Sequence, residues 1–182
     1  MYFENQFIIN QYDFSIVLEV NTDSMYEQNI AMERLKYLIY ECFENSVFVA
    51  MNETDIIEKY TKANLKVCII PEDPYDQIIA LLILLKVNAV CEGKLNVTDI
   101  VFASKLSDGV KFMENHDTAK NAIPKDGWWD NKFPSLCSKL QAKKGKVVKL
   151  IKDEWSDLEL GWNQKKNKPA EVVFSVTDKK PE

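Results

Sequence analysis

The chain has 182 residues, 46% of them hydrophobic and 28% charged, and a formal net charge of −5, the make-up of an ordinary soluble protein able to bury one substantial core. Its longest apolar run, Ile78 to Leu85, breaks at Lys86, and even Ile78 to Cys91 falls short of the ~20 residues that cross a bilayer. Met1 to Asn10 lacks the basic stretch followed by an apolar one that marks a secretory signal, so a cytoplasmic protein with no membrane segment is expected.

Charge is uneven along the chain. Residues 1–100 carry 7 basic and 16 acidic side chains, residues 101–182 carry 16 and 12, which suggests two surfaces of different character. Arg34 is the only arginine, and without that planar fork a phosphate clamp or a base-reading nucleic-acid surface is disfavoured. Cys42, Cys68, Cys91 and Cys137 are widely spaced and three sit in apolar segments, so they read as buried reduced thiols rather than a zinc site. The five glycines are isolated from one another, which leaves no phosphate loop. No metal and no cofactor is predicted.

In chain order, Phe14, Ile16, Leu18 and Val20 alternate with Ser15, Val17 and Glu19, the pattern of a strand with one buried face. Ser24-Met25-Tyr26-Glu27 has the capping-box form and opens an amphipathic helix predicted to run to about Asn45. A strand at 46–51, a helix at 54–63 and a strand at 65–70 follow. The apolar run is predicted as a central helix capped by Asp73, with Pro74 at its first position, Asp76 in its first turn and a left-handed Gly93 at its end. In the strand at 95–105, alternation places Val97, Val101 and Ala103 opposite Thr98, Ile100 and Phe102. Ser107-Asp108-Gly109 is a turn into a further hairpin strand at 110–113. The strands mix polar and apolar positions, so the predicted class is α+β, with a mixed or antiparallel sheet and helices packed mainly on one face. The core spans 1–113, an irregular loop 114–136, and a β-rich C-terminal extension of the same domain 137–177, with short strands at 146–152, around 158–162 and at 171–176. Residues 178–182 are expected to be a disordered tail.

Few residues invite chemistry. His116 is the sole histidine, and no nucleophile motif accompanies it, so a solvated loop histidine is preferred to a general base. Glu72, Asp73 and Asp76 read as helix capping, because the positive end of a helix opposes a cation. Lys143, Lys144, Lys146 and Lys149 with Trp155 could bind single-stranded nucleic acid by phosphate attraction and base stacking. The plainer reading is a lysine-protected hairpin, since Asp153, Glu154, Asp157 and Glu159 follow at once. Trp128 and Trp129, with Phe133, are the interface candidates: two adjacent tryptophans are expected to divide, one ring inward and one exposed.

The runs Asp13 to Val20, Glu44-Asn45-Ser46-Val47-Phe48-Val49, Pro71-Glu72-Asp73-Pro74-Tyr75-Asp76-Gln77 and Gly127-Trp128-Trp129 resemble those of uncharacterised small proteins of tailed bacteriophages, over about residues 12–130. The resemblance implies a phage accessory or structural protein in a host cytoplasm and transfers no catalytic residue. The predicted function is a non-catalytic interaction with a protein partner or with a second copy as a homodimer. The alternatives are a single-stranded nucleic-acid binder using the lysine-rich hairpin and an enzyme of unreadable class using His116.

Overall fold

The computed structural model describes residues 1–125, 127–136 and 154–163. The N-terminus folds into a small hairpin of β1 (Tyr2–Phe3) and β2 (Gln6–Phe7), turned by Glu4 and Asn5 at φ 49° and 62°, the left-handed pair that a two-residue hairpin of matching twist requires. The long β3 (Tyr12–Val20) leads to α1 (Met25–Tyr37), which continues as a π-helical stretch over Leu38–Phe43. Then come β4 (Val47–Ala50), α2 (Thr54–Lys62) and β5 (Val67–Ile70), with β4 and β5 parallel in register Val47↔Val67 to Ala50↔Ile70. The central helix α3 (Asp76–Cys91) is followed by β6 (Leu95–Ser104), β7 (Phe112–Asn115) and α4 (His116–Ala122), with single 3-10 turns at Trp128–Asp130 and Trp155–Leu158.

The fold is α+β. β3, β6 and β7 form an antiparallel three-stranded sheet in that order, and β4–β5 is a separate parallel pair. Helix α3 lies on one face of the larger sheet and against α1. Ten of its residues between Ile79 and Cys91 are buried, on all sides of the helix, as an apolar run without a polar stripe demands. On β3, Tyr12, Phe14, Ile16 and Leu18 pack on this core, while Asp13, Ser15, Val17 and Glu19 face out.

β6 departs from simple alternation. Val17 pairs with Asp99 but Leu18 with Val97, so Thr98 is the extra residue of a β-bulge. One inserted residue exchanges the two faces beyond it. Val97 therefore shares the buried face with Ile100 and Phe102, not the outer face with Val101 and Ala103.

Local signals also resolve differently from the expected ones. Ser24 caps α1, its hydroxyl accepting from the Glu27 N–H at 3.3 Å, but the Glu27 carboxylate takes Thr22 Oγ1 at 2.5 Å and Lys94 at 2.7 Å instead of reaching back to Ser24. Asp73 does not cap α3. Helix α3 begins later, with Tyr75 in the cap position and no side-chain cap, and Asp73 offers only its carbonyl to the Tyr75 N–H at 2.7 Å. At the other end Gly93 is left-handed as expected, but Glu92 already is, at φ 47°.

The segment expected to be irregular, 114–136, contains α4, capped by the Asn115 side chain accepting from the Thr118 N–H at 2.9 Å. The helix buries only Ala119, and with no apolar stripe it gives no periodic signal. Where a strand was expected around 158–162, a 3-10 turn closes instead, reversing through Glu159 at φ 61° with the Leu160 N–H on the Trp155 carbonyl at 2.8 Å. The strands expected at 146–152 and 171–176 and the tail 178–182 lie outside the described residues.

Asn88, one of two polar residues in the apolar stretch of α3, holds the bulged part of β6. Its Nδ2 donates to the Val97 carbonyl at 3.0 Å and its Oδ1 accepts from the Val97 N–H at 2.6 Å, the pair of bonds a further strand would make. Asn88→Ala is expected to cost about 1–3 kcal/mol in denaturant unfolding, because both groups of a buried residue lose their partner; a loss below ~0.5 kcal/mol would contradict this role.

Candidate functional site

The tryptophan loop is organised by a lysine. Lys86, the other polar residue of the α3 stretch, is fully buried. Its ammonium donates to the carbonyls of Trp128, Asn131 and Phe133 at 2.8, 2.9 and 2.6 Å and to Asn131 Oδ1 at 3.0 Å. Three N–H groups thus serve four oxygens of a segment with little regular structure to satisfy them. Burial pulls the Lys86 ammonium down from 10.5 to about 7, and the surrounding oxygens and the Cys42 and Cys68 sulfurs favour the charge.

Both tryptophans are consequently inside. Trp128 is 0% exposed and Trp129 3%, which corrects the expectation of one inward and one outward ring. The two meet edge to face at 5.6 Å, and Trp128 meets Phe43 at 5.9 Å. Each indole has its own carbonyl acceptor, Ile69 for Trp128 at 2.5 Å and Pro124 for Trp129 at 2.8 Å. The division failed because the 3-10 turn sends successive side chains to different parts of one core, and both N–H groups find partners there. Gly127 is required by this packing, since a Cβ there would lie 2.2 Å from atoms of the Trp129 ring. Of the three interface candidates, only Phe133 keeps an accessible ring, at 41%.

A second buried cation ties the C-terminal described segment to the core. Arg34, 2% exposed, donates from Nε to the Leu160 carbonyl at 2.9 Å and from Nη1 to the Val90 carbonyl at 2.9 Å and Glu92 Oε1 at 2.8 Å. Its guanidinium lies 3.8 Å from the Trp162 ring centroid and 4.9 Å from that of Trp155. Burial opposes the Glu92 charge, but the hydrogen bonds from Arg34 and Trp162 hold its carboxyl below the usual range. Those bonds also offset the left-handed backbone of Glu92.

Trp155 is the candidate for base stacking. It is buried, its indole N–H donates to the Lys132 carbonyl, and its ring meets Arg34 and, edge on, Tyr37 at 5.7 Å. Lys143, Lys144, Lys146 and Lys149 lie outside the described residues. His116 opens α4, half-buried; burial, together with Lys120, lowers its pKa, against the opposite effect of Asp117. Its ring has no hydrogen bond to a carboxylate among the described residues. Cys68 and Cys91 are buried and Cys42 partly so, with the Cys91 thiol pushed up to about 12 by burial. Among the described residues no group of three or more His, Cys, Asp or Glu is placed to hold a metal ion, and no helix is long and apolar enough to cross a membrane.

Exposed apolar side chains also lie on and beside the N-terminal hairpin. Phe7 is 54% exposed, Ile9 86% and Tyr75 54%. Phe3 meets Tyr75 at 5.3 Å, Tyr2 meets Tyr60 at 6.1 Å and Phe7 meets Tyr60 at 6.0 Å, all edge on. The hairpin is closed at its base by the Met1 ammonium on the Ile8 carbonyl at 2.7 Å and the Ile8 N–H on the Met1 carbonyl at 2.8 Å. Sequence patterning missed this surface because strands of two residues are too short to show periodicity.

Compared with known proteins, the chain matches no protein-family model, no curated protein and no solved structure.

Removing the Lys86 ammonium strands the loop carbonyls, so Lys86→Met is expected to cost at least ~2 kcal/mol at pH 7 in denaturant unfolding. Between about pH 7 and 10.5 the unfolded chain holds the lysine proton and the folded protein does not, so the lysine's contribution to stability rises with pH across that window. The wild-type advantage over Lys86→Met should therefore grow from pH 7 to pH 10; a shrinking advantage would refute the lowered pKa.

Proposed function

We propose that this chain is a non-catalytic interaction protein, and that the hairpin surface carrying Phe7 beside Tyr60, with Ile9 two residues on, is where it meets a protein partner or a second copy. The observation that carries this reading is the exposure of Phe7 and Ile9, with the Phe7 ring fixed by its edge-on contact with Tyr60. Aromatic side chains held in place lose little entropy on binding and dominate interface energetics. The acidic balance of residues 1–100 favours a partner with basic residues around the contact. The resemblance to small tailed-phage proteins supports a phage-encoded accessory role in a bacterial cytoplasm, with the partner a host or viral protein.

The double variant Phe7→Glu/Ile9→Glu tests it. Both side chains are largely solvent-exposed, so the thermal midpoint should move little. Self-association in sedimentation equilibrium, or retention of a partner recovered with the wild type from the host cell, should weaken by more than ~1 kcal/mol. Undiminished association in the variant would overturn the assignment of this face, and a wild type that neither self-associates nor retains a partner would overturn the interaction role itself.

A further inference from the structure

Helix α3, with α4 against it, covers one face of the three-stranded sheet. The other face carries the outward residues of β3, β6 and β7, and the register sets which of them meet. Ser15, Val101 and Met113 stand in one row across the strands, and Val17, Asp99 and Asn115 in the next. Val17 is therefore the diagonal neighbour of Val101, and the two rows bring Val17, Val101 and Met113 into one apolar stripe. Val17 is 56% exposed and Met113 76%, with Val101 half-buried between them. The solvated face of an antiparallel sheet is ordinarily polar. Single exposed apolar side chains are common on any surface, but a stripe joined across every strand of a sheet is a contact surface.

Charge selects the partner. Asp99 lies across from Val17, Asp13 and Glu19 stand further along β3 on the same face, and none of the outward positions of the three strands is a lysine or an arginine. The lysines that border these strands in the chain, Lys94, Lys105 and Lys111, lie outside them, and Lys94 is held by Glu27 at 2.7 Å. A second copy would set three carboxylates against three, and a phosphate-bearing surface would meet the same repulsion. Bases flanking apolar residues answer both features of the face. The stripe also sets the partner's shape. Strands ~4.8 Å apart make it ~10 Å long, which about two turns of helix span at ~1.5 Å per residue, and a helix already covers the inner face of the same sheet.

We propose that the outer face of the sheet seats a basic amphipathic helix of a partner protein, its apolar side on Val17, Val101 and Met113 and its lysines or arginines on Asp13, Glu19 and Asp99. The face is separate from the N-terminal hairpin and does not depend on the interaction assigned there.

The probe is a peptide of about five helical turns with leucine and lysine spaced to give one apolar and one basic side, titrated into the full chain and followed by the methionine methyl resonances. A peptide with glutamate in place of lysine and one with the same residues in shuffled order are the controls. The lysine peptide should saturate the Met113 resonance and leave that of Met25, 70% exposed on α1, unmoved, and each control should bind at least tenfold more weakly. Val17→Lys should weaken the lysine peptide at least tenfold, and Asp13→Asn/Glu19→Gln at least threefold. All three positions are exposed, so the thermal midpoints should stay near that of the wild type. Phe7→Glu/Ile9→Glu should not weaken the peptide. Failure to move Met113, equal binding of the lysine and glutamate peptides, movement of Met25 as large as that of Met113, indifference to both face variants, or loss of binding in the hairpin variant would each overturn the proposal.

Discussion

A charge placed in an apolar helix must be answered by oxygens, and the rest of this structure is arranged around that demand. Lys86 sits where the apolar run of α3 breaks, and its buried ammonium needs acceptors that the helix cannot supply. Four oxygens from residues 128–133 provide them. The loop in turn has few backbone partners of its own, so each side satisfies the other. Once the Trp128 carbonyl is pinned to Lys86, the Trp128 ring falls between Phe43 and Trp129, and its N–H reaches the Ile69 carbonyl at the end of β5. One ammonium thus joins the central helix, the parallel strand pair and the loop.

Arg34 does the same one turn further on, at the C-terminal end of α3. It collects the Val90 carbonyl, the Glu92 carboxylate and the Leu160 carbonyl, and it packs against two tryptophans. The two cations differ in a way their chemistry explains. The compact ammonium fits a closed cage of carbonyls. The planar guanidinium spans from helix to segment, with its face on the Trp162 ring.

Much of the fold was legible in the sequence because its signals were local. The alternation of Phe14, Ile16 and Leu18, the apolar run of α3 and the left-handed Gly93 each depend on near neighbours in the chain. The bulge at Thr98 was not legible, because the two parities of β6 differ only in which strand residue lies across from it. Helix α4 carries no apolar stripe, and the two-residue strands of the hairpin are shorter than any period. The site residues were harder still. Lys86 was visible as a break in an apolar run, and a lone lysine there is the signal of a buried cation, but its acceptors lie more than 40 residues away. Arg34 was visible as the only arginine, and its partners are 56 to 126 residues distant. Trp128 and Trp129 drew attention as adjacent aromatics, yet they are buried by a contact that neither residue announces. Phe7 stays on the surface because β1 and β2 stand at the edge of the core and not within it.

The central claim is that Lys86 is enclosed in the folded protein as the acceptor-bound centre of the tryptophan loop. Competitive acylation of the native chain with an amine-reactive reagent, read lysine by lysine by mass spectrometry, tests it most directly. Lys36 and Lys62, both largely exposed on helix surfaces, should be modified readily, and Lys86 should stay unmodified until denaturant unfolds the chain. Modification of Lys86 at the rate of Lys36 and Lys62 under native conditions would contradict the account.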